Sequence, residues 1–243
     1  MQKYGRDLLY KVSVSAMCVA MGVVLRFFEI MLPLGGANTC RITLEGVFLA
    51  VPAFLFGPLF GFISGGIMDV ICCLLKPQGA YIPLLTLTAA LLGFLRAVFF
   101  KAGGKMDIKA LRTTMGALFG ALLILGISSF IFVPFGDKNT VIAITATAVG
   151  ALGLIGFAVS FWVQKGRARD FLRIFAALFA AGMIISVINT FILYFVYFYG
   201  SKTGLLIFTV ARLVENTAEC LVVSAVLSFI FPLFEKTVNK FKK

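Results

Sequence analysis

Histidine is absent from this 243-residue chain, and acids are scarce, with ten Asp and Glu against 22 Lys and Arg. Charged residues make up only 13% of the total. Each shortage excludes something. Without His, the residue most often used as a general base and as a metal ligand is missing. The five cysteines contain no C-x-x-C pair, so no recognisable zinc site or redox dithiol is encoded. No G-x-x-x-x-G-K-[ST] segment occurs, so there is no P-loop for a nucleotide. A soluble domain carries about 25% charged residues. Half that fraction, with 61% hydrophobic residues and a mean hydropathy of +1.06, excludes a soluble globular protein. The same abundance of apolar residues excludes a disordered chain.

What is present is a series of long apolar runs: residues 8–32, 42–57, 58–75, 82–100, 115–135, 141–164, 171–199 and 204–233. A bilayer core of ~30 Å needs ~20 apolar residues per helix. The runs therefore predict eight membrane spans in an all-α, polytopic helix bundle, with residues 1–243 forming a single membrane domain. The second and third runs are short and meet at Phe56-Gly57-Pro58-Leu59, where the Gly-Pro pair ends one helix and starts the next. They are expected to be two true spans. The first run is too long for a signal h-region and is expected to be a retained helix.

The net charge of +12 reports orientation. Lys3, Arg6, Lys11, Lys101, Lys105, Lys109, Arg112, Lys165, Arg167, Arg169, Arg173, Lys236, Lys240, Lys242 and Lys243 fall on one side of the expected topology. Only Arg41, Lys76, Lys138 and Lys202 fall on the other. By the positive-inside rule both termini are expected in the cytoplasm. A nucleic-acid-binding surface would gather these charges on one face, whereas here they are scattered over separate loops.

Charges inside spans are costly and usually face the protein interior. Eight are expected there: Arg26, Glu29, Glu45, Asp69, Arg96, Arg212, Glu215 and Glu219. Arg26/Glu29, Arg41/Glu45 and Arg212/Glu215 have the i, i+3 or i, i+4 spacing of one helix face. With the termini inside, most of these residues lie toward the outer side and predict a polar pocket opening outward. Arg96 is expected to snorkel to the cytoplasmic interface. Structural ion pairing is the plain alternative. Cys18, Cys72, Cys73 and Cys220 fall within spans and read as small hydrophobes. Glycines at 57, 61 and 65, at 116 and 120, and alanines at 16 and 20 have the small-xxx-small spacing of close helix packing.

Two stretches carry a family resemblance. The first runs from Arg41-Ile-Thr-Leu through Val51-Pro-Ala-Phe-Leu-Phe-Gly-Pro58, Gly65-Gly-Ile-Met-Asp69 and Lys76-Pro-Gln-Gly-Ala-Tyr-Ile-Pro83 to Leu85-Thr-Leu-Thr-Ala-Ala-Leu-Leu-Gly93. The second comprises Ile188-Asn-Thr190 and Ala211-Arg-Leu-Val-Glu-Asn216. Together they resemble the S component, the substrate-binding membrane subunit, of energy-coupling factor (ECF) vitamin transporters, and most of all the folate-type (FolT) branch. The resemblance implies a non-enzymatic subunit of a bacterial cell membrane that captures a vitamin, folate foremost, from outside. It implies docking on a transmembrane coupling subunit that carries two ABC-type ATPases. ATP is then used by the partners, and the chain itself needs no cofactor and no metal.

The resemblance also implies a six-helix core, residues 8–101 and 171–234, with an inserted helical hairpin at about 106–168. Ala16 and Ala20 match the A-x-x-x-A pair that faces the coupling subunit. The candidate substrate-binding residues are Arg26, Arg41, Glu45, Asp69, Tyr81, Arg212, Glu215 and Asn216. Asp69 or Glu215 would accept the donors of a pterin-like ring, Tyr81 would act as a lid, and Arg26 or Arg41 would meet acidic tails. Asn216 can both donate and accept. Glu45 and Lys76 depart from the uncharged residues expected there, which bears on specificity for folate. The rival readings are a stand-alone secondary transporter of a small polar solute, a membrane enzyme using Glu215 and Glu219, and an assembly protein without a ligand.

Overall fold

Gly57 sits between two helices with φ +103°, a conformation only glycine adopts without strain, and Pro58 opens the next helix at its first turn. This junction is the one expected from the sequence. A computed structural model describes residues 2–28, 30–34, 37–77, 81–132, 137–162, 165–197 and 205–241. Its elements are α1 (Gln2–Phe27), β1 (Ile30–Leu34), β2 (Ala37–Ile42), α2 (Glu45–Phe56), α3 (Pro58–Leu75), α4 (Pro83–Gly103), α5 (Ile108–Phe132), α6 (Asp137–Trp162), α7 (Lys165–Tyr197) and α8 (Leu205–Phe241). Among the described residues, five segments, Gly5–Phe27, Pro58–Leu75, Pro83–Gly103, Arg169–Val196 and Arg212–Val238, are long and apolar enough to cross a bilayer. The helical bundle is thus the expected one.

Two local expectations change. The first apolar run does not stay helical to Leu32. It gives way to an antiparallel hairpin pairing Ile30 with Ile42, Met31 with Arg41 and Leu32 with Cys40. The register shifts between Leu32 and Leu34, where Pro33 has no N–H to donate to the ladder. Only Gly35 and Gly36 separate the strands in sequence, a hairpin signature.

The second change concerns α2, which has 12 residues. At 1.5 Å per residue it reaches about 18 Å, short of the ~30 Å core. It is therefore shorter than the bilayer core is thick. It lies deep in the bundle, with Gly46, Val47 and Leu49 through Phe54 buried. Phe54 stacks on Phe100 of α4 at 4.1 Å, and Phe231 of α8 meets both rings edge-on at 6.1 and 5.5 Å. Each such pair is worth about 0.5–1.5 kcal/mol beyond burial of its area.

Close packing of α3 on α4 depends on small residues. Cβ atoms added at Gly61 and Gly93 would each collide with the other's backbone, and one at Gly65 would meet the carbonyl of Ala89. Gly57, by contrast, serves the turn. In α5, Gly116 accommodates Phe157 of α6, but a Cβ at Gly120 would touch nothing, so Gly120 takes no part in the expected packing.

Helices α5 and α6 form an antiparallel pair, with Gly153 under the Phe119 ring and Gly150 against Leu123. Phe119 joins this pair to Phe175 and Phe179 of α7, with centroids at 5.8 and 4.9 Å. Helix α7 is pinned to α4 at two heights. Nε of Arg173 donates to the Phe100 carbonyl at 2.8 Å, with its guanidinium 3.7 Å over the Phe100 ring. Thr88 donates to Oδ1 of Asn189 at 2.5 Å.

Candidate functional site

Helix polarity prepares the site. Arg26 lies in the last turn of α1 and Glu45 in the first turn of α2. Each charge sits at the helix end whose dipole favours it. The hairpin β1–β2 returns the chain so that these two ends meet. Nη1 of Arg26 lies 3.6 Å from Oε2 of Glu45 and 4.0 Å from Oδ1 of Asp69 in α3. The three side chains keep 16%, 21% and 16% of their surface exposed, so the pairing is largely desolvated.

The cluster extends into the segment before α4. The Thr86 hydroxyl donates to Oδ2 of Asp69 at 2.8 Å and shares a 3.1 Å hydrogen bond with the Tyr81 hydroxyl. Thr86 has one proton, committed to the carboxylate at the shorter distance, so Tyr81 supplies the proton of the second bond. Tyr81 itself is 54% exposed. A continuous polar path therefore runs Tyr81–Thr86–Asp69–Arg26–Glu45 across the segment preceding α4 and four helices.

A second polar group flanks α2 on its other side. Thr43 donates to Oε1 of Glu219 in α8 at 3.4 Å, and Gly46 leaves room for that carboxylate. Farther along α8, the Asn216 amide lies so close over Gly182 of α7 that a Cβ there would overlap it. Oδ1 of Asn216 accepts the Cys220 thiol at 3.9 Å. Arg212 and Glu215 are half-buried on the same helix.

Of the candidate residues, the fold thus brings together Arg26, Glu45, Asp69 and Tyr81. Arg212, Glu215 and Asn216 lie along α8, which reaches the start of α2 through Glu219. Arg41 lies in β2, so Arg41 and Glu45 are not a pair on one helix face. Glu29, the expected partner of Arg26, lies outside the described residues. Arg96 does not snorkel: it is 7% exposed and buried in the bundle. It lies on α4 between Thr88 and Phe100, both of which are bonded to α7, and this docking covers that part of the helix. The candidate residues read from the sequence do not include Thr86, Thr43 or the Thr88–Asn189 bond. Thr86 and Thr88 do stand within the quoted Leu85-Thr-Leu-Thr88 segment, which is a usable signal. Among the described residues no group of three or more His, Cys, Asp or Glu could hold a metal ion. Cys18, Cys72, Cys73 and Cys220 form no disulfide among the described residues.

The family model for the ECF-type riboflavin transporter, S component, matches residues 8–151. The chain belongs to this family. The match takes in α1 to α4, the Arg26–Glu45–Asp69–Thr86 cluster and the hairpin, and continues through α5 into α6. As an ECF S component the chain is a membrane transporter subunit. The family name is that of riboflavin and not that of the folate branch. No curated protein and no solved structure matches this S component.

Proposed function

We propose that the chain is the substrate-binding subunit of an ECF-type ABC vitamin importer and that it captures riboflavin, or a vitamin with a similar flat ring, from outside. The observation that carries this reading is the Arg26–Glu45–Asp69 cluster, tied through Thr86 to Tyr81 beside the segment that leads into α4. It offers donors and acceptors at the meeting point of four helices, which suits a ligand with many hydroxyl and ring polar groups. The family match supports the choice of vitamin.

Folate, the expectation from sequence motifs, fits the described side chains less well. Arg26 already faces two carboxylates, so the triad carries one positive charge against two negative ones. A ligand with acidic tails would have to displace them, while a neutral polyol chain would not. The resemblance further supports two cytoplasmic termini, a bacterial cell membrane and a partner module in which a transmembrane subunit and two ATPases supply the energy. Ala16 and Ala20 are exposed on α1, available to that coupling subunit. The hairpin α5–α6, at about 106–168, is an addition to a six-helix core in this reading.

The test is titration of the purified protein with riboflavin and with folate, following flavin fluorescence and thermal unfolding. Tight riboflavin binding without ATP is the expected result. Failure to bind any vitamin would sink the S-component reading of this chain's function. Binding of folate in preference to riboflavin would return the motif-based choice.

A further inference from the structure

The buried side-chain donors without a hydrogen-bond partner among the described residues include Nε and Nη1 of Arg96 and Nδ2 of Asn216. Arg96 is the most demanding of them. It is 7% exposed, and an ionised side chain held in a bundle without hydrogen-bonded company is strongly disfavoured. Buried donors in native proteins almost always meet an acceptor.

Both residues fall in the stretch of the bundle between two anchors. Thr88–Asn189 and Phe100–Arg173 pin α4 antiparallel to α7. Arg96 falls between these anchors on α4, and Gly182 falls between them on α7. Gly182 is where Asn216 of α8 rests. Cys220 joins the pair, since its thiol bonds Asn216 and its charge environment includes Arg96. Acceptor-less donors from α4 and α8 therefore fall within the same stretch of the bundle. Along α4, Arg96 lies ten residues beyond Thr86, about 15 Å at 1.5 Å per residue. A tricyclic ring carrying an extended polyol chain has a comparable length.

We propose that Arg96, with Asn216, is a ligand-binding residue that donates to the carbonyl oxygens of the flavin ring, so that the ring end of the ligand enters deepest and its polyol chain stays by the Arg26–Asp69 cluster. This rests on the reading of the chain as a riboflavin-binding subunit. It assigns Arg96 a role in recognition and gives its buried donors acceptors.

The experiment uses the full chain in detergent, with riboflavin as the probe. Fluorescence titration gives the affinity, and thermal unfolding without ligand gives the stability. Arg96→Met is expected to weaken riboflavin binding ten-fold or more while the ligand-free protein unfolds at the same or a higher temperature. Arg96→Lys keeps the charge with a different donor geometry and should fall between Arg96→Met and the wild type. Asn216→Ala combined with Arg96→Met should cost less than the two single losses added, because both donors serve one ligand. If Arg96→Met does not yield folded protein, Arg96→Lys and Asn216→Ala carry the test. Affinity within two-fold of wild type in the folded variants overturns this inference alone. So does a loss of binding that only tracks a loss of ligand-free stability. A wild-type protein that binds no riboflavin overturns the functional reading and this inference with it.

Discussion

Thr86 of α4 donates a 2.8 Å hydrogen bond to Asp69 of α3, on the carboxylate oxygen that Arg26 does not face. Oδ1 is turned to the guanidinium of α1, and Oδ2 is held by the segment that begins at Tyr81. One carboxylate thus links the end of the first helix to the loop side of the fourth.

Asp69→Asn should separate these two duties. The amide keeps an oxygen for Thr86 but loses the charge that faces Arg26. Hydrogen bonds to charged groups contribute about 1.5–3 kcal/mol, so riboflavin affinity should fall roughly 10- to 100-fold. Fluorescence titration checks this, and unchanged affinity would make the triad structural only.

Gly61→Ala should destabilise the protein strongly, because its Cβ would enter the backbone of Gly93. Gly120→Ala meets nothing and should be neutral or slightly stabilising, by up to about 1 kcal/mol of helix propensity. Thermal unfolding of the two variants in the same detergent gives the comparison. Similar effects would contradict the close approach of α3 and α4.

Ala16→Trp and Ala20→Trp should leave riboflavin binding intact and abolish uptake in cells that hold the coupling subunits. Both residues are exposed on α1, beside Met17 at 69% exposure. A bulky ring there costs the fold little but obstructs a partner helix. Loss of binding in step with uptake would place the pair inside the fold's own packing.

Arg173→Lys should lower the unfolding temperature although the charge is kept. Lysine cannot both lie flat on the Phe100 ring and direct an Nε–H to the Phe100 carbonyl, as Arg173 does. The expected cost is about 1–3 kcal/mol. An unchanged unfolding temperature would mean that the contact contributes nothing to α4–α7 docking.

The membrane architecture was legible in the sequence because bilayers impose run length and loop charge, both of which can be counted along a chain. The Gly57-Pro58 junction was legible for a similar reason, as it depends on two adjacent residues. The candidate site was legible in part, as a set of residues the fold brings together. Arg26, Glu45, Asp69 and Tyr81 stood out because charge and aromatic hydroxyls are rare in such runs. Their partners did not. Sequence spacing suggested Arg41 for Glu45, but the chain folds into a strand before α2, and strand and helix residues share no common face. Thr86 does not stand out in the sequence, because a threonine in a helix usually bonds its own backbone, and only the neighbouring helix shows its other use.

By itself the sequence determined that this protein lives in a bilayer, that its basic residues fall mainly between its apolar runs, and that its few intramembrane charges need company. These follow from solvent preference, which acts on each segment separately. The tertiary structure decided which charges keep company, and it placed Arg96 in the bundle instead of at its rim. It also made Gly61 indispensable and Gly120 incidental, though both sit in small-xxx-small spacing. The reason is that pairing and close approach depend on which helix faces which, and that is a property of the assembled bundle and of no single segment.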